Sequence, residues 1–199
     1  IEQQTWVKAI HPEDHQLVLE KDGQESTQNY SKLVLAVGAN PVRLAISGDA
    51  SDDIHVVNNL SDYKTFRSNL AAREDKRVVI LGAGLIGCEF ANDLQNTEHQ
   101  VTVIDLAPQP LGRLLPEHVA TAFQKNLEET GIHFVLGTTV EKVSRAENGD
   151  YLVMLANGQS LVADVVLSAV GLQPNISLAK QADVHTSRGI LTTAQLETN

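Results

Sequence analysis

Short apolar runs flanked by polar residues at 5–10 and 15–20 read as short strands. Asp22-Gly23 then predicts a hairpin turn into residues 24–29. Lys32-Leu33-Val34-Leu35-Ala36-Val37 is apolar at nearly every position, as are Val78-Val79-Ile80-Leu81 and residues 164–170. Such runs predict strands covered on both faces. Residues 41–59 hold Pro41, Gly48 and several aspartates and serines, and read as a linker. A helix is expected over 61–70, another from Gly84 to about Asn96, and a third from Pro116-Glu117 through Val119, Ala122, Phe123 and Leu127 to Gly131. Strands are expected at 100–104 and 133–136. A meander follows at 138–144, 150–156 and 159–163, with Asn157-Gly158 as a hairpin turn.

The centre of this pattern is the passage from strand to helix at Leu81-Gly82-Ala83-Gly84-Leu85-Ile86-Gly87-Cys88-Glu89, a GxGxxG turn. Gly82 permits a sharp reversal, Gly84 removes the side chain that would keep a pyrophosphate from the backbone, and Gly87 lets the helix pack closely on the strand. Phosphates would then face a helix N-terminus, where free N–H groups and the dipole favour an anion. The next strand ends in Asp105, about 20 residues beyond the glycines, as a dinucleotide-binding βαβ unit requires. Its carboxylate would accept from a ribose 2′-OH and repel a 2′-phosphate. Leu106-Ala107-Pro108 offers no arginine to receive one, so the expected ligand is NADH rather than NADPH. The fold class is α/β, a Rossmann-like NAD(P)-binding domain with a central parallel sheet and a three-stranded β-meander.

Composition narrows the partners. The net charge of −10 speaks against nucleic acid and anionic membranes. Residues 1–57 hold nine acidic and four basic residues and 58–172 fourteen and nine, so no single tail carries the excess. No apolar run approaches a membrane span of about 20 residues, and the first residues do not read as a signal peptide. One cysteine, Cys88, allows no intrachain disulfide, and a cytoplasmic location is the expectation. Cys88 lies in the first turn of the motif helix, where the dipole could lower its pKa, but packing is the preferred role. The seven histidines show no ligand spacing, so no metal is assigned. Trp6 and the few Phe and Tyr residues are expected to pack in the core or at edges.

Ala36-Val37-Gly38-Ala39-Asn40-Pro41 and Ala169-Val170-Gly171-Leu172-Gln173-Pro174 share the pattern A-V-G-x-x-P, each after a meander and an apolar strand. Two copies of one half-domain are therefore expected. The second is preceded by its glycine turn, and the first implies an upstream half-domain outside this sequence, making the chain a piece of a larger protein.

These features together resemble the FAD-dependent pyridine nucleotide-disulfide oxidoreductase superfamily, flavoproteins with two dinucleotide-binding domains. Within it, the stretch from Leu81 to Leu94 resembles bacterial rubredoxin–NAD(+) reductases, with ferredoxin reductases of oxygenase systems as close relatives. The resemblance implies a partial FAD-binding domain at 1–57, an NADH-binding domain at 58–172, and a return toward the FAD-binding domain at 173–199. It implies FAD and NADH as cofactors and electron transfer to rubredoxin, or another small iron–sulfur protein, in alkane hydroxylation. It leaves open a homodimer. The FAD glycine turn and the later Gly-Asp motif are absent from the sequence, so the fragment is expected to hold FAD poorly and to be inactive alone.

Carried over by position, Val7 and the strand end Ala36 to Gly38 would lie near the FAD adenosine. The backbone of Gly82, Ala83, Gly84, Leu85, Ile86 and Gly87 would cradle the NADH pyrophosphate, and Gly171 would pass close to the nicotinamide ribose. Glu89 matches the family glutamate beside flavin and nicotinamide, while residue chemistry alone reads it as a helix glutamate satisfied by a basic neighbour. No side chain is assigned as a catalytic acid or base. A dithiol reductase needs a cysteine pair that this sequence lacks. A non-catalytic NADH-sensing protein is the rival from another class, and no hydrolase or ATPase motif is present.

Overall fold

Residues 77–81 follow one another as Arg, Val, Val, Ile, Leu because their side chains must fill two cores, one on each face of a sheet. In the computed structural model Val78 and Ile80 enter a core with Phe66, Cys88, Leu94 and Leu127. Val79 and Leu81 enter a second core with Val143, Tyr151, Val153 and Ala163. The alternation of a pleated strand thus divides one apolar run between two layers.

The structure describes residues 1–73, 76–97 and 99–199. Its strands in chain order are β1 (Trp6–His11), β2 (Gln16–Lys21), β3 (Gln24–Asn29), β4 (Ala39–Pro41), β5 (Arg77–Leu81) and β6 (Gln100–Asp105). They continue as β7 (His133–Leu136), β8 (Val140–Arg145), β9 (Tyr151–Leu155), β10 (Ser160–Ala163), β11 (Val165–Ser168) and β12 (Leu172–Pro174). The helices are α1 (Leu60–Ala71), α2 (Leu85–Gln95), α3 (Glu117–Glu129) and α4 (Ser177–Gln181). None of these helices is long and apolar enough to cross a membrane. Two compact units form, residues 1–40 with 172–199, and residues 41–171.

In the larger unit a parallel sheet runs in the order β11-β5-β6-β7. Helices supply one core and the antiparallel β8–β9–β10 meander the other. Asn59 caps α1 by accepting from the Asp62 N–H at 2.9 Å, and Asp62 accepts in return from the Asn58 N–H at 3.0 Å. Phe66 and Leu70, four residues apart, then place one stripe of α1 in the core.

The expected linker at 41–59 is packed rather than free. Ser47 donates its N–H to Glu141 and accepts from Val143, while Ala50 is fully buried. Gly48 makes this possible, because a Cβ there would stand 2.0 Å from the Val143 carbonyl oxygen. His55 continues the contact by donating to Val166 and accepting from Ser168. Arg145 fastens the same segment, stacked 5.0 Å over the Tyr151 ring and ion-paired with Asp53.

In the smaller unit β1, β2 and β3 form an antiparallel sheet around the Asp22-Gly23 turn, where both residues have positive φ. β12 pairs with β4, so the last three residues of each A-V-G-x-x-P copy lie against one another. Two expectations fail in this unit. Residues 32–37 form no strand, and Val34 is 84% exposed, because no described strand runs alongside to accept its ladder. Trp6 is also exposed, since only Ile10 on β1 turns into a core.

A charged clasp closes the amino end of β5. Arg77 donates its backbone N–H to Asp164 Oδ2 at 2.9 Å, its Nε to the same oxygen at 2.9 Å and Nη2 to Asp150 at 2.9 Å. Burial would push the Asp164 carboxyl up, but its bonds to Arg77 outweigh this and hold it below its usual value. Asp164→Asn is expected to lower the unfolding free energy at pH 7 by about 3 kcal/mol, read from urea midpoints. Because the folded carboxyl titrates below the unfolded one, its stabilisation is present above about pH 4 and is lost as pH falls through the folded value. The gap between wild type and variant should therefore close on acidification below about pH 4.

Candidate functional site

In the order β11-β5-β6-β7 the chain moves outward from β5 through β6 to β7 and then returns to β11 on the other side of β5. This reversal places a crevice outside the carboxyl ends of β5 and β11, where open α/β sheets bind ligands. The glycine turn occupies it. Gly82 has φ +103°, and a Cβ there would lie 2.6 Å from the Ala169 carbonyl oxygen beyond β11. At Gly87 a Cβ would stand 1.9 Å from the Gly82 oxygen, so helix and strand approach more closely than any side chain allows. Gly84 is different, with nothing within 4 Å of its would-be Cβ. Two glycines thus serve packing, and one keeps a space clear.

Gly84 is the N-cap of α2 and no side chain caps the helix. The first N–H groups of α2 are left to an external acceptor, reinforced by the helix dipole. Leu85 and Ile86, in that first turn, are exposed. Ala83 is buried, and its N–H is already committed, donating to Asp105 Oδ2 at 2.6 Å. Donors for an anion therefore begin at Gly84. Asp105 Oδ1 accepts from the Ala107 N–H at 2.7 Å. Both carboxylate oxygens keep further lone pairs for sugar hydroxyls.

Glu89 is exposed on α2, and no described side chain bonds or ion-pairs with it, so the basic neighbour that would satisfy it is not found. Cys88 packs, being 5% exposed, and burial together with the charge of Asp105 pushes its thiol up to about 11. That thiol is not a nucleophile at neutral pH. Gly171 lies two residues past Ala169, exposed, with φ +115° and open space around it. The larger unit thus gathers Gly82 to Gly87, Glu89, Asp105 and Gly171, while Val7, Ala36 and Gly38 belong to the smaller unit and are exposed there. Sequence reasoning missed the segment after Asp105, which returns at Leu111 to donate its N–H to the Ala83 carbonyl at 2.8 Å. A backbone donor has no residue signature, and no local pattern marks it.

A family model described as pyridine nucleotide-disulphide oxidoreductase matches residues 1–199. Rubredoxin-NAD(+) reductase of Acinetobacter baylyi is 78% identical over 98% of this chain and 50% of its own length. A ferredoxin reductase from Rhodopseudomonas palustris superposes with a TM-score of 0.86 at 30% identity, over 98% of this chain and 47% of that one. The water-forming NADH oxidase of Lactobacillus brevis, solved with NADH bound, gives 0.81 at 26% identity, over 92% and 40%. The chain spans about half the length of the curated relatives it matches.

The three glycines separate into testable roles. Gly87→Ala is expected to lose about 1–3 kcal/mol of stability, seen as a reduced melting temperature, because its methyl meets backbone rather than a movable side chain. Gly84→Ala should melt within about 0.5 kcal/mol of wild type. Its methyl nevertheless fills the cleared space, and dinucleotide affinity by titration should fall about tenfold or more.

Proposed function

The chain belongs to the pyridine nucleotide-disulphide oxidoreductase family, and on that premise we propose that it is part of an FAD-dependent reductase carrying electrons from NADH to rubredoxin. The observation that carries the acceptor is the identity shared with the Acinetobacter baylyi rubredoxin-NAD(+) reductase over nearly the whole chain. Residues of about 58–172 form the NADH-binding domain, with 41–57 packed on it. Residues 1–40 and 173–199 belong to the FAD-binding domain, and the protein works in the cytoplasm.

The residues present fit these cofactors. The space before Gly84 and the uncapped start of α2 suit a pyrophosphate, and Asp105 suits the adenosine ribose while opposing a 2′-phosphate. Ala36 and Gly38 are exposed in the smaller unit, and Gly38 has open space around it, so a flat ligand can approach the backbone there. When bound, the two cofactors supply the hydride and single-electron chemistry. The chain's own work is to bind and orient. Gly84 and the first turn of α2 hold the phosphates, Asp105 selects the ribose, and Gly171 leaves room for the nicotinamide ribose. Glu89, unpaired and exposed on α2, is free to face the nicotinamide, and no side chain is required as an acid or base.

The structural likeness to a ferredoxin reductase favours a second reading, in which a [2Fe–2S] ferredoxin replaces rubredoxin as acceptor. Oxidation of NADH by the full-length, flavin-loaded protein decides between them. Rubredoxin is expected to support faster turnover than the ferredoxin, and NADH to exceed NADPH in kcat/KM by about tenfold or more, because Asp105 meets the extra phosphate with like charge. Preference for the ferredoxin would move the assignment to the second reading. Bound NADH without turnover would overturn both.

A further inference from the structure

Ala83 stands between the two glycines that shape the turn, and the end of β6 and the segment that follows it take both halves of its peptide bonding. Its N–H donates to Asp105 Oδ2 at 2.6 Å and its carbonyl accepts from Leu111 at 2.8 Å. The other carboxylate oxygen holds the Ala107 N–H at 2.7 Å. The Asp105 carbonyl is itself held by the Thr138 N–H, and the Ala107 carbonyl by that of Gly137, each at 3.1 Å, so the bracing segment is tied in turn to the end of β7.

A ribose acceptor needs none of this. One carboxylate oxygen at the rim of the crevice would be enough. The bond to Ala83 acts on a different part of the site, because Ala83 directly precedes Gly84, where the phosphate-facing donors begin. Gly82 and Gly84 flank that peptide and give it two soft joints. An acceptor-only group can meet N–H donors at both oxygens, whereas an amide turns its own NH₂ toward one of them. Charge-assisted bonds of this kind are about twice as strong as neutral ones.

We propose that Asp105 is a positioning residue for the phosphate-binding turn in addition to its contact with the ribose. One side chain sets both selectivity for the ribose and grip on the phosphates. Replacing it to admit a 2′-phosphate would therefore weaken every nicotinamide donor, including those with no adenosine. The proposal rests on the reading of this site as an NADH site.

The test uses the full-length, flavin-loaded protein as wild type and as Asp105→Asn, with NADH and reduced nicotinamide mononucleotide as donors. The mononucleotide has a phosphate and no adenosine ribose. Anaerobic flavin reduction gives the half-saturating concentration and the limiting rate for each. The variant should raise the half-saturating concentration for NADH and also, by about tenfold, for the mononucleotide. In the ligand-free protein, the Ala83 amide should exchange hydrogen about tenfold faster in the variant than in wild type. A variant weakened for NADH but unchanged for the mononucleotide would overturn the positioning role and leave the NADH reading standing. Wild-type protein that binds no NADH would overturn both. If the variant does not fold, exchange in wild type decides: Ala83 protected well beyond Gly84 and Leu85 supports the brace, and equal exchange overturns it.

Discussion

The approach of Gly87 to the carbonyl of Gly82 is the contact on which the rest of the binding unit depends. A distance of 1.9 Å to a would-be Cβ means that the first turn of α2 lies directly on the end of β5. Only in that position does the uncapped end of the helix open on the crevice where β5 and β11 part. Moved outward by a methyl, the helix would carry its free N–H groups away from the sheet edge and from Asp105. The turn also reaches across to β11, because Gly82 lies against the Ala169 carbonyl. Two strands and one helix therefore meet at two close backbone contacts.

The two ends of β5 are built for opposite purposes. At its amino end Arg77 joins Asp150 and Asp164, so the strand, the meander and the approach to β11 are tied by charge. At its carboxyl end the donors of α2 are left open. A parallel sheet permits this division, since all its strands deliver their carboxyl ends to one edge and the crossovers return at the other. Stability is concentrated at one edge, which leaves the other able to hold unsatisfied groups for a ligand. The cost of those open groups falls where water already satisfies them.

Much of this was legible in the residues. The run from Arg77 to Leu81, the spacing of Gly82, Gly84 and Gly87, and the acidic end of the next strand define a βαβ unit by local rules of conformation and packing, and the sheet forms as those rules require. The role of Cys88 was legible too, because a small apolar thiol on the inner face of α2 has only packing to do. The brace on Ala83 was not. It depends on where a proline-containing segment returns after Asp105, and the donor at Leu111 is a backbone group that any residue would supply. Residues 41–59, read as a linker, pack against the larger unit for a related reason. Their composition is that of a loop, but Gly48 and Ala50 are small enough to let that loop lie on β8 and bury its backbone groups by pairing.

The two A-V-G-x-x-P copies show where local pattern stops being informative. The apolar strand before the second copy is β11, paired with β5 and buried on both faces, with Val165, Val166 and Leu167 each 1% exposed. The run before the first copy has the same character, yet Val34 is 84% exposed and no described strand pairs with it. Nothing within either segment accounts for the difference. Periodicity states which face a strand could bury, and only neighbours on its two edges determine whether it is a strand at all. Where the two copies do share surroundings, at Ala39–Pro41 and Leu172–Pro174, they pair with each other as β4 and β12. The same sequence pattern thus takes on structure in proportion to the partners the chain provides.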